Sequence, residues 1–201
     1  MAKSTLDDIL DRLHILQKEI EDEIDRLLDE KQKLFKYTLD QGKVRFEQSI
    51  KTLQLQHRTN VWAYLRHARI RHVLTTPLIY SLFFLFAALD IAVTLYQHIC
   101  FRIYKIPRVK RADYFIIDRQ HLVYLNAIEK IHCTYCGYVN GLIEYLREIS
   151  ARTEKYWCPI KHAQRTPDPH YLTAHFLDYG DADAYKKQLK SLRDEWSKIK
   201  Q

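Results

Sequence analysis

Leu6, Leu13, Ile20, Leu27 and Leu34 recur every seven residues, and Ile9, Leu10, Leu16 and Ile24 fill flanking positions. Asp, Glu, Lys and Arg occupy the sites between them. That is the pattern of a helix seeking an apolar partner along one seam. Ser4 has the chemistry of an N-cap, and Asp7 and Asp8 fall in the first turn, where the helix dipole favours anions. Glu23 and Glu30 interrupt the seam, so an intramolecular partner and a symmetric coiled coil both fit. "LDQGKV" holds Gly42, with no other glycine before Gly137. Beyond it Phe46, Ile50 and Leu53, then Val61 and Leu65, resume a helical spacing. Residues 1–72 are therefore read as a helical hairpin turning near Gly42, or as a coiled-coil rod. Residues 4–72 would serve a protein partner or self-association.

The pattern changes at "PLIYSLFFLFAALDIAVTLYQHICF", Pro77 to Phe101. From Leu78 to Tyr96 the polar residues other than tyrosine are Ser81, Asp90 and Thr94. Twenty-five helical residues extend about 37 Å, enough for a hydrocarbon core of about 30 Å. Residues 73–102 are predicted to form one membrane helix. Asp90 would cost about 2.5–3.5 kcal/mol facing lipid, so it is expected to meet another helix or to mark a bend. Arg102, Lys105, Arg108, Lys110 and Arg111 follow the segment and are expected to contact anionic headgroups. The excess of bases there places the C-terminal side in the cytoplasm. Arg66, Arg69 and Arg71 make the other flank basic too. A single span with the N-terminus outside is the first expectation, and a re-entrant or in-plane hairpin is the alternative.

From Asp118 the chain reads helical again, with Leu122, Leu125, Ile128 and Ile131 on one face. Leu142, Ile143, Leu146 and Ile149 continue an apolar face after a cysteine pair. "RTPDPHY" (165–171) is a break, because proline removes a donor and fixes the backbone. In "DYGDADAY" Gly180 and Asp181 are stop and start signals. Tyr185, Leu189, Leu192, Trp196 and Ile199 then form the stripe of a last amphipathic helix. The fold class expected is all-α, with residues 103–201 as a small helical domain.

Composition changes this picture little. Four glycines and five prolines in 201 residues favour long helices. Net charge is +7, yet residues 1–35 carry ten acids and six bases, so that segment is −4 and the remainder +11. A basic body suggests phosphate-bearing partners, with anionic lipid ahead of nucleic acid because the bases are dispersed. The N-terminus lacks the basic start, apolar run and small-residue cleavage site of a signal peptide.

Cys133, Cys136, Cys158 and His162 fall in the spacing C-x2-C-x21-C-x3-H. Three thiolates and one imidazole are a closed set for structural zinc. Gly137 after the pair would let the backbone bend toward the sulfurs. Pro159 suits the first position of a helix begun by Cys158, which would put Cys158 and His162 on one turn. The 21-residue spacer has length for a helix and a return, so the two halves could meet across a helical hairpin. Zinc is the expected metal, with iron or an iron–sulfur cluster as the alternative. No Gly-rich phosphate loop, nucleophile elbow or catalytic triad order is present.

"YLNAIEKIHCTYCGYVNGLIEYLREISARTEKYWCPIKHA" and "FLDYGDADAY" resemble a bacterial membrane-associated family over about residues 119–185. The resemblance implies a bacterial source, hence the inner membrane, and places the four Cys/His residues inside the family motif. It carries no activity, substrate or partner. The function expected is a membrane-anchored, metal-stabilised adaptor or scaffold without catalytic activity. The alternative is an iron- or thiol-based membrane component that handles electrons or metal.

Overall fold

The computed structural model describes residues 5–40 and 43–198. In chain order the elements are α1 (Thr5–Leu34), β1 (Tyr37–Asp40), β2 (Lys43–Phe46), α2 (Gln48–Gln56), α3 (Val61–His67) and α4 (Ile70–Tyr96). A π-helical turn (Gln97–Phe101) and α5 (Arg102–Tyr104) prolong α4, and α6 (Ala127–Trp157) and α7 (Ala182–Lys198) follow. The chain is mostly helical, as its glycine-poor composition requires. Two compact units form: Met1–Leu65 with Asp118–Ile131, and Arg66–Ile117 with His132–Gln201.

In the first unit α1 is the long helix that its seam predicts, and Leu13, Leu16, Ile20, Ile24 and Leu27 all remain exposed along it. Ser4 and the side chains of Leu6 and Leu10 lie outside the described residues. The helical hairpin is corrected. Lys36 adopts a left-handed conformation (φ 48°) that ends the helix, and a two-stranded antiparallel ladder follows. Tyr37 pairs with Phe46 and Thr38 with Arg45, and the two facing rings lie 5.6 Å apart. Aromatic and β-branched residues at alternate positions suit a pleated surface better than a helix, which explains the outcome. Residues 41–42, where the turn was expected, are not described.

Asp118–Ile131 is not helical throughout: α6 begins only at Ala127. The reason is local. The Asn126 side chain accepts from the backbone N–H groups of Ile128 and Glu129, and Glu129 accepts in return from the N–H of Asn126 at 2.9 Å. This reciprocal cap starts the helix there and satisfies its orphan donors.

The second unit is built on α4 and α6, which run side by side in the same direction. Tyr135 donates to the carbonyl of Ile79 at 2.9 Å, Tyr96 and Thr153 share a hydrogen bond at 3.0 Å, and Tyr104 meets Tyr156 ring to ring at 5.0 Å. Two parallel helices need a return connection, and residues 105–117 supply it as an irregular strap. Lys105 turns the chain back in a left-handed conformation (φ 58°). Ile106 and Val109 are then buried. Gln97 clasps the strap from both sides: its carbonyl accepts from the N–H of Val109 at 3.0 Å, and its amide donates to the Val109 carbonyl and to Tyr145. Arg152 donates to the carbonyl of Pro107 at 2.7 Å. Where the strap crosses α6 its backbone lies against Gly141 and Gly137. A Cβ on Gly141 would sit 2.7 Å from the carbonyl oxygen of Tyr114, so only glycine admits this approach.

After α6 the chain is extended at Cys158–Ile160 and later makes a 3-10 turn at Tyr171–His175. Ile160 and Leu177 form a parallel bridge, and the N–H of Leu177 donates to the carbonyl of Pro159 at 2.8 Å. The break at 165–171 is observed. Gly180 has φ 89°, and Asp181 caps α7 through the N–H of Ala184 at 2.8 Å. Of the predicted α7 stripe, Tyr185, Leu189 and Leu192 are half-buried and Trp196 is buried, while Ile199 lies outside the described residues.

Candidate functional site

The four expected metal ligands do not converge. Cys133 and Cys136 lie in the continuous helix α6, and Cys158 follows its last residue. Twenty-two positions of unbroken helix put Cys136 and Cys158 about 30 Å apart. The expected helical return is absent because the strap, and not the chain after Cys136, supplies the reversal. Pro159 begins no helix: Cys158–Ile160 runs extended into the bridge with Leu177, so His162 does not share a turn with Cys158. Gly137 serves the strap, its would-be Cβ lying 3.3 Å from the carbonyl oxygen of Ile116. Cys136 and Cys158 are exposed thiols and Cys133 is half-buried. Among the described residues no three His, Cys, Asp or Glu side chains form a group able to hold an ion. Cys136→Ser, Cys158→Ser and treatment with a chelator are each expected to leave stability within about 0.5 kcal/mol, as for other exposed substitutions. Thermal unfolding followed by circular dichroism checks this, and unfolding on chelation would contradict it.

The apolar segment is one helix, running unbroken from Ile70 to Tyr104 and long enough to cross a membrane. Its residues face outward to an unusual degree: Leu74 is 73 % exposed, Phe84 75 % and Ile103 67 %. The side that meets α6 is different. Val93, Gln97 and Phe101 are buried there, and Phe86 and Tyr96 partly so.

Asp90 lies on the covered side and is not left to solvent or lipid. It accepts from Arg111 at 2.7 Å and from Tyr138 at 3.1 Å, and its side chain is 13 % exposed. It therefore meets another helix, as expected, and also the strap. The Arg111 guanidinium also lies 3.7 Å from the centroid of the Phe115 ring, while about half of its side chain stays exposed. Arg111 thus engages Asp90 and still reaches the surface. Arg102, Lys105, Arg108 and Lys110 are exposed.

One cluster was missed. Glu148, 5 % exposed, accepts from Arg152 at 2.7 Å, from Tyr171 at 3.1 Å and from the ring of His170 at 2.8 Å. The other ring nitrogen of His170 accepts from the N–H of Leu172 at 3.3 Å, so Nε2 carries the proton donated to Glu148. The i, i+4 spacing of Glu148 and Arg152 was legible as a helix-surface pair. Its burial depends on the 158–181 loop, which brings His170 and Tyr171 over it. The cluster holds that loop to α6.

The arrangement thus offers an outward apolar helix, a basic rim at its end and an exposed heptad seam. Against known proteins no family matches this chain, and no curated protein or solved structure shows significant similarity to it.

Proposed function

We propose that this protein is a membrane-anchored adaptor or scaffold. α4 holds it to a lipid bilayer, and α1 presents a seam to a protein partner. The observation that carries the reading is the exposure of large apolar side chains along the whole of α4. Monomeric soluble proteins seldom leave a contiguous apolar face of this extent in water. The exposed bases Arg102, Lys105, Arg108 and Lys110 at its end complement anionic headgroups, at about 1 kcal/mol per base near the surface. On α1 the seam residues Leu13, Leu16, Ile20, Ile24 and Leu27 are exposed, which suits recruitment. The folded frame of the second unit rests on the strap, Gln97 and Glu148, and needs no metal link between Cys136 and Cys158.

Flotation of the purified chain with vesicles of phosphatidylcholine and phosphatidylglycerol tests the anchor. The wild-type protein is expected to rise with the vesicles. The double variant Phe84→Lys/Leu95→Lys, both on the outward side, is expected to stay in the dense fraction with unchanged helicity. Equal flotation of the two proteins, or none of the wild type, would overturn the reading.

A further inference from the structure

We propose that α4 does not cross the bilayer but lies along one leaflet, its outward side among the acyl chains and the strap and α6 on the water side. The inference rests on the membrane association proposed above and specifies its geometry. Length is the first argument. The exposed apolar side chains run from Ile70 through Leu74, Leu78, Leu95 and Ile99 to Ile103. Thirty-three helical rises span about 50 Å, whereas the hydrocarbon core is about 30 Å thick. A crossing helix would have to tilt by more than about 50° to immerse that face, beyond the usual range of roughly 0–40°. Upright, about two-fifths of the face would stand in water. Lying flat immerses all of it.

The covered side supplies the second argument. α6 accompanies α4 from Ile79 to Tyr104 and the strap meets it at Asp90 and Gln97, so a crossing α4 would draw them to the same depth. Asp113 on the strap, and Asn140 and Glu144 on α6, are exposed on their outer surface. Polar and charged groups facing hydrocarbon are disfavoured. The irregular backbone of residues 105–117 is a further obstacle, because non-helical peptide groups are tolerated at membrane depth only when protein surrounds them. In the flat orientation these groups stay in water. The apolar residues of α4 that turn inward, such as Phe86, Val93 and Phe101, are then the core of the domain and not a second lipid face.

Charge is the third argument. Exposed bases stand among the end residues of the apolar face: Arg69 and Arg71 flank Ile70, and Arg102 and Lys105 flank Ile103. A helix lying flat brings both groups to headgroups of the same leaflet, where anionic lipid attracts them.

Depth measurement tests the orientation. A fluorophore is placed in turn at Leu74→Cys, Phe84→Cys, Leu95→Cys and Ile103→Cys, with the native cysteines replaced by serine. Quenching is read from vesicles whose lipids carry bromine at different acyl positions. The flat helix predicts that all four sites quench best with the same shallow bromine. A crossing helix predicts a gradient, with Phe84 near the bilayer centre and Ile103 at a surface, and that result would overturn the inference while leaving the membrane anchor intact. No flotation and no quenching at any site would instead reject the anchor itself. Wild-type protein bound to preformed sealed vesicles gives a second measurement free of substitutions. Added protease should digest both chain ends from outside, and protection of either end would also overturn the flat orientation.

Discussion

Glu148→Ala is expected to destabilise the second unit by about 3–5 kcal/mol, the usual cost of removing one partner from a buried ion pair. The substitution leaves Arg152, His170 and Tyr171 with polar groups turned toward a vacated, buried position. For a chain of this length the thermal midpoint should fall on the order of 10 °C. The loop 158–181 should become protease-sensitive first, because two of the lost bonds come from it. Thermal unfolding by circular dichroism and limited proteolysis check both statements. The same residue shapes the acid limb of stability. Burial alone would raise its pKa, but the hydrogen bonds from Arg152 and His170 outweigh burial and hold the carboxyl below its ordinary value of 4.5. A depressed carboxylate contributes stability that is fully present above the unfolded value and is lost as pH falls through the folded one. Between those two values the unfolded chain binds more protons, so stability rises with pH. Glu148→Gln should therefore flatten the loss of stability seen below about pH 4.5. An unchanged acid limb in that variant would remove Glu148 from the account.

Gly141→Leu is expected to cost about 3 kcal/mol, the upper end of overpacking in a well-packed interior. Its first side-chain carbon alone would lie 2.7 Å from the Tyr114 oxygen and 3.1 Å from the Cα of Phe115. Both neighbours are backbone, so no side chain can swing aside and the strap itself must move. Gly137→Ala is the control. There the nearest atom is 3.3 Å away, a shift of a few tenths of an ångström suffices, and the helix gains about 0.8–1 kcal/mol from losing a glycine. That variant should be close to neutral or slightly stabilising. Equal effects at the two positions would show that strap contact is not what the glycines serve. Thermal midpoints of the two variants decide the matter.

The strap also explains why Asp90 is tolerable in an apolar helix. A lone carboxylate there would favour protonation or water, whereas Arg111 and Tyr138 satisfy it within the protein. Arg111 reaches it from a position 21 residues away in sequence, in a stretch that otherwise reads as an ordinary basic flank of a membrane segment. Side-chain identity alone assigns all five bases to headgroups. The return of the chain pairs one of them, Arg111, with Asp90.

Local periodicity by itself determined α1, the apolar helix, the break at 165–171, the start at Asp181 and the stripe of α7. Each depends on residues within one or two turns of one another, and spacing along the chain records that directly. The four-residue strands were harder to read, because short aromatic and β-branched runs fit either period. The cysteine spacing was legible, but spacing says nothing of the path between its halves. Only the tertiary structure decided that α6 is unbroken, because the reversal needed between parallel helices falls to residues 105–117. That path is held by Gln97 on Val109, Asp90 on Arg111 and Gly141 on Tyr114, contacts between residues 12 to 27 positions apart. The Gly-x-x-x-Gly of α6 announces a close approach of backbone without naming what approaches. A glycine removes a steric barrier, and the element that fills the space is chosen by the rest of the fold.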